Sequence, residues 1–206
     1  MAGVQIQKSK GSIKTLWLLI ALFVAPIVIA AWQYFSETDW DSRGTRNHGE
    51  LVRPAHPLSA FYLQTLSGET FVLQDLQRIW SLVMVAHKQC AADCEDALYK
   101  TRQARLAQGR ETSRVQRVLV LDQVQFNGAQ IDRYREQHAD LIIVTGTHDQ
   151  VLGLMNQFSK QHTVDQSGEV YMVDPLSNHM MNYKNGFDAG GLLKDIRRLL
   201  QVSQIG

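Results

Sequence analysis

Ile79-Trp80-Ser81-Leu82-Val83-Met84-Val85-Ala86, followed closely by Cys90-Ala91-Ala92-Asp93-Cys94, is the stretch that decides how this chain folds. An apolar run without alternation reads as a strand buried on both faces, the kind found at the centre of a parallel sheet. Ala97, Leu98, Thr101, Ala104 and Arg105 then recur at helical spacing before Gly109. A strand, a short loop and a helix put both sulfurs at a helix N-terminus, where free backbone N–H groups and the helix dipole stabilise a thiolate. Lys88 pulls the same way, whereas Asp93, Glu95 and Asp96 raise thiol pKa and favour a bound cation. Cys90 and Cys94 are the only cysteines in 206 residues. The pair reads as a reversible disulfide or a holder of a soft metal such as Cu(I), against the alternative of a buried structural pair.

Working outward, the pattern alternates between strands and helices. Phe61-Tyr62-Leu63 and Thr70-Phe71-Val72-Leu73 flank Ser67-Gly68, a hairpin signature. Val118 to Leu121 and Leu141 to Val144 read as short buried strands, with a helix from Asn127 to His138 between them. His148 to Gln161 reads as a helix, Val170–Val173 and Met180–Tyr183 as a second hairpin turning through Pro175 to Asn178. Asp188 is placed to cap a final helix whose apolar face is Leu192, Leu193, Ile196, Leu199 and Leu200. This alternation predicts an α/β fold, a thioredoxin-like central sheet flanked by helices. The basic stretch Arg102 to Arg117 reads as a solvated helix face and loop.

The N-terminal part is different in kind. Lys8, Lys10 and Lys14 precede an uncharged apolar run from Leu16 to Trp32, with Trp17 and Trp32 near its ends. The predicted organisation is a cytoplasmic N-terminus (1–12), a transmembrane helix (13–35), a linker (36–56) and the thioredoxin-like domain (57–206). The alternative is a cleaved signal peptide ending near Val28-Ile29-Ala30. Either reading exports the cysteines; the first predicts a single-pass inner-membrane protein with its C-terminal domain in the periplasm, in contact with lipid through the N-terminal helix. A net charge of +1 gives no reason to expect nucleic acid as a partner.

Along residues 57–202 the sequence resembles the Sco/SenC family. The likeness runs through the hairpin, the buried strand and Cys-x-x-x-Cys, then Val120-Leu121-Asp122, Leu141-Ile142-Ile143-Val144-Thr145-Gly146-Thr147, Val164 to Ser167 and Val170 to Pro175. The resemblance implies a membrane-anchored thioredoxin-fold protein that helps assemble the copper site of cytochrome c oxidase. Its partners would be oxidase subunit II or other respiratory-chain assembly proteins. It implies copper bound by the two cysteines and a histidine, or reduction of the subunit's cysteines. Two departures stand out: Ala91 and Glu95 replace the prolines usual around the cysteines, and Gln166 stands where the family has its copper-binding histidine. An amide oxygen is a hard, weak donor for Cu(I).

His87, His162 and His179 are the replacement ligands considered, with His87 best placed because it closes the strand leading to Cys90. Met180–Met181 reads as hairpin packing, and Asp122 and Asp165 as loop carboxylates making local hydrogen bonds. Three functions follow: an oxidase assembly factor acting by Cu(I) handling or thiol reduction, a broader extracytoplasmic thiol–disulfide oxidoreductase, or a non-catalytic oxidase-associated scaffold.

Overall fold

The computed structural model describes residues 13–35, 47–86, 90, 92–158, 168–203 and 205. The chain divides into two units, Met1–Thr45 and Arg46–Gly206. In the first, α1 (Ile13–Phe35) contains Pro26 and no charged residue beyond Lys14. Its stretch Ile13–Trp32 has a mean hydropathy of 2.4 and buries nothing against protein. Twenty-three residues at about 1.5 Å each span roughly 35 Å, more than the ~30 Å of a bilayer's hydrocarbon core. By length and composition this helix is apolar enough to cross a membrane.

The second unit is a single eight-stranded sheet with helices on both faces. In chain order it comprises β1 (Glu50–Pro57), β2 (Tyr62–Thr65), β3 (Thr70–Val72), β4 (Trp80–Ala86), α2 (Ala92–Leu106), β5 (Val115–Asp122), α3 (Gly128–Gln137), β6 (Leu141–Gly146), α4 (His148–Phe158), β7 (Val170–Val173), β8 (Asn178–Tyr183) and α5 (Ala189–Val202). The strand order is β1-β8-β7-β4-β5-β6-β2-β3. β4, β5 and β6 are parallel, with Ala86 opposite Leu121 and Leu121 opposite Thr145, so their C-terminal ends lie together. β7 and β2 run antiparallel to their central neighbours.

Alternation along the central strands splits the core into two layers. Leu82, Met84, Leu119 and Leu121 pack on one face with Leu98 of α2, Tyr134 of α3 and Ile196 of α5. Val83, Val85, Val118 and Val120 pack on the other with Val151, Leu154 and Phe158 of α4. Full burial of side chains this size contributes about 1.5–3 kcal/mol each. Two helix starts follow the sequence. Asn127 and Gln130 form a reciprocal capping box on α3, and the Asp188 carboxylate accepts from the Gly190 and Gly191 N–H groups on α5.

The structure corrects the sequence reading in two places. Residues 36–56 were expected to be a linker, yet Glu50–Pro57 is an edge strand paired with β8. Pro54 and Pro57 hide it, because proline reads as a breaker although an edge strand accommodates it. The entry to this strand is held from across the sheet: the buried Asp195 carboxylate accepts from the His48 and Gly49 N–H groups at 2.8 and 3.0 Å and from the Tyr183 hydroxyl at 3.0 Å. Residues 36–46 lie outside those described.

The second correction concerns Arg117, at the end of the basic stretch Arg102 to Arg117. Arg117 is fully buried in β5. Its guanidinium donates to the Leu98 carbonyl (2.6 Å), the Thr101 hydroxyl (3.1 Å) and Asp140 (3.1 Å), and Arg105 also reaches Asp140. Burial pulls the Arg117 pKa down against its pairing with Asp140. Burial would push the Asp140 carboxyl up, but Arg117 and then Arg105 hold it below the usual carboxylate range. Arg117, with Arg105 and Asp140, is an internal strut joining α2 to β5, while Gln103, Arg110, Glu111 and Ser113 of the same stretch are exposed as expected.

Candidate functional site

β4 delivers the chain to Cys90 at the C-terminal end of the parallel strands, and α2 begins two residues later. Cys94 is the third residue of that helix, inside the turn whose N–H groups have no intrahelical acceptor. The two sulfurs are joined in a disulfide with Cα atoms 5.2 Å apart. Both residues belong to the α2 face of the core, Cys90 at 7% exposure and Cys94 at 1%. Cys90 is therefore the more exposed of the two residues.

The acidic residues around the pair behave differently from the sequence expectation. Glu95 is paired with Arg133 of α3, and Asp96 with Lys100 at 2.6 Å. Lys100 also lies 5.2 Å above the Phe187 ring. Asp93 makes no ion pair among the described residues. Two of the three acids beside the pair thus stand in surface ion pairs rather than as lone charges. The Arg133 partnership joins residues far apart in sequence, and no local signal marks it.

Gly168 takes a positive φ of 107°, and a Cβ there would lie 2.8 Å from the Asp93 carbonyl carbon and oxygen and from Asn185 Oδ1. Only glycine fits so close an approach. The chain two residues after Gln166 therefore rests on the first turn of the cysteine helix. Gln166 itself, with His87, Lys88, His162 and Asp165, lies outside the described residues.

His179 is not a spare ligand. It is 1% exposed on the α4 side of the sheet, edge-on to Phe158 and Tyr171, with its Nε2 bonded to the Asn182 side chain. Burial lowers its pKa and favours the neutral ring. Met181, 1% exposed, packs in the core as expected. Asp122 is buried at the end of β5 and makes the local bond expected of it, accepting from the Val124 N–H at 3.0 Å. It also meets His148 Nδ1 at 2.7 Å, a residue the sequence reading passed over. No cluster of three or more His, Cys, Asp or Glu side chains suited to a metal occurs among the described residues.

Residues 80–203 match the family of transmembrane-like, thioredoxin-like C-terminal domains. No curated protein sequence matches the chain. Copper-bound yeast Sco1 is similar in structure, with a TM-score of 0.63 at 19% identity, covering 74% of this chain and 96% of that one. Copper-bound Arabidopsis thaliana ScoI gives 0.59 at 19%, covering 70% and 98%. BsSco, described as a member of the Sco family of cytochrome c oxidase assembly proteins with a disulfide switch, gives 0.58 at 13%, covering 73% and 96%. The fold is thioredoxin-like, of the form these proteins share.

Proposed function

This chain belongs to the family of transmembrane-like, thioredoxin-like C-terminal domains, and from that premise we propose that it is a Sco-type assembly factor for the copper site of cytochrome c oxidase, working through the Cys90/Cys94 dithiol. The observation that carries the reading is the pair itself: two cysteines within bonding distance at the start of α2, with Glu95 and Asp96 paired with Arg133 and Lys100. The resemblance along the chain and the Sco-type fold supply the partner, oxidase subunit II or another respiratory-chain assembly protein. In this reading α1 crosses the inner membrane with residues 1–12 in the cytoplasm, and the domain lies in the periplasm beyond a shortened tether.

Thiol reduction is the chemistry the geometry supports best. Cys90, the more exposed residue of the pair, attacks a substrate disulfide as thiolate and forms a mixed disulfide; Cys94 then resolves it and closes the Cys90–Cys94 bond. Reduced, the same thiolates suit Cu(I) as cargo, being soft donors at matching spacing. A third donor would come from the segment bearing Gln166, whose end at Gly168 rests on Asp93. A general oxidoreductase remains the second reading, favoured by glutamine in the histidine's place, and a scaffold the third. Cu(I) titration and disulfide reduction with the reduced chain separate them. Reduction of an oxidase-derived disulfide is expected, together with weak Cu(I) binding that Gln166→His strengthens at least tenfold. A chain that binds no Cu(I) and reduces no disulfide refutes the assembly chemistry.

A further inference from the structure

We propose that the corner of the domain where α2 and α5 end is a docking surface for the anionic phospholipid headgroups of a bilayer. The proposal rests on the reading of α1 as a membrane span and adds how the domain is held over that membrane. The two helices end side by side: the Arg197 guanidinium donates to the Ala107 carbonyl at 3.1 Å, one residue past the end of α2. A short 3₁₀ helix, Gly109–Arg114, then leads into β5. Its Arg114 donates to the Leu200, Ser203 and Ile205 carbonyls at 3.1, 2.8 and 3.3 Å, which closes the far side of the corner.

The charge at this corner is one-sided. Residues 102–117 hold five arginines and one acid, Glu111, and residues 194–205 hold Lys194, Arg197 and Arg198 with one acid, Asp195. Arg105 and Arg117 turn inward onto Asp140, but Arg110, Lys194, Arg197 and Arg198 are exposed. Glu111 is matched by Arg114 at 2.7 Å, and Asp195 is buried against the His48 and Gly49 N–H groups and the Tyr183 hydroxyl. Apolar side chains stand among the cations: Val202 is 74% exposed, and Leu106 and Ile205 are each 49% exposed. Ile205 is fixed in that position. Besides Arg114, the Ser203 hydroxyl donates to its carbonyl at 2.7 Å and accepts from its N–H at 3.2 Å. Cations interspersed with exposed aliphatic groups suit a lipid interface, where the cations meet phosphate and the aliphatic groups enter the headgroup boundary.

The path of the chain selects a bilayer over an acidic protein. His48 and Gly49 bond to Asp195, and Asn47 lies by Arg198, whose Nη1 donates to its side-chain oxygen at 3.5 Å. Followed back from Gly49, the chain therefore runs along α5 toward the C-terminal end of that helix, and so toward the basic corner. Residues 36–46 join this point to the end of α1, and a segment of that length reaches at most roughly 40 Å. On the anchored reading the corner is thus confined near the membrane, where even a weak surface contact is populated. With the corner against headgroups, β5 points away from the bilayer. Its eight residues at about 3.3 Å carry the other end of the sheet, where β4 delivers Cys90, roughly 25 Å outward. The cysteine pair then faces partners rather than lipid.

The test is hydrogen exchange, read by mass spectrometry, on the full-length chain in nanodiscs of phosphatidylcholine alone or with about 30% phosphatidylglycerol. Amides of residues 106–114 and 198–203 are expected to exchange at least about threefold more slowly in the anionic discs, and about 0.5 M NaCl to remove most of the difference. Arg110→Glu combined with Arg198→Glu is expected to abolish the protection while leaving the thermal midpoint in detergent within about 3 °C. Val202→Ser, which keeps every charge, is expected to reduce it about twofold. Equal exchange in the two kinds of disc overturns the lipid surface and leaves the corner to an acidic protein. Protection that survives the double charge reversal overturns it as well, because these cations would then not be what holds it. Exchange along α1 is read in the same spectra. Free exchange there refutes the membrane span, a failure distinct from that of the surface, which is then judged by the same comparison with vesicles of the two compositions added to the chain.

Discussion

Replacing Asp140 by asparagine probes the buried strut that holds the cysteine helix to the sheet. Asp140 faces Arg117 at 3.1 Å, Arg105 at 3.3 Å and Arg102 at 3.7 Å, and only Arg117 is wholly cut off from water. Asp140→Asn leaves that guanidinium charged in the core. Breaking a buried pair costs about 3–5 kcal/mol, and the partial exposure of Asp140 argues for the lower end, about 3 kcal/mol. Arg117→Met removes the charge and keeps an unbranched side chain; its cost is the lost hydrogen bonds to Leu98 and Thr101, about 2 kcal/mol. With no charge left to strand, the double variant is expected near the Arg117→Met value, a coupling of about 2–3 kcal/mol. Urea unfolding followed by circular dichroism reads this directly. With a slope of about 2 kcal/mol/M, Asp140→Asn moves the midpoint by roughly 1.5 M. The Asp140 pKa is lowered in the fold. Its contribution is therefore present above the unfolded carboxyl value, about 3.9, and is lost as pH falls through the folded one. A cost for Asp140→Asn below about 1 kcal/mol, or additive single variants, refutes the strut.

Three further outcomes are expected. Gly168→Ala forces a Cβ onto the Asp93 backbone at positive φ and is expected to cost about 2 kcal/mol; thermal unfolding measures the loss, and an unchanged midpoint contradicts the close approach. Cys94→Ser leaves Cys90 to attack without resolution, so a mixed disulfide with substrate accumulates, whereas Cys90→Ser traps little; intact-mass spectra distinguish them, and trapping by Cys90→Ser alone would reverse the assignment. His179 has its pKa lowered by burial, so the unfolded chain takes up the proton first as pH falls below about 6.5. Stability then rises with pH across the window below that value and declines on acidification; melting curves from pH 7.5 to 5 are expected to be flatter in His179→Gln, and identical slopes would count against a neutral buried ring.

The sequence by itself determined the frame. The unbroken apolar run of β4, the cysteines behind it, the helix periodicities and the Asp188 cap are local signals, each written within one or two turns or one strand. The apolar length of α1 is equally local. What the tertiary structure decided are relations between distant residues. Arg117 reads as surface because arginine usually is, and it is buried only because Asp140, Thr101 and Leu98 converge on it. The acids beside the cysteines read as opposing a thiolate until Arg133, from another helix, pairs with one of them. His148 acquires its partner Asp122 only where two parallel strands end side by side. Periodicity reports which face of an element is buried, but which polar groups meet there is set by the sheet order.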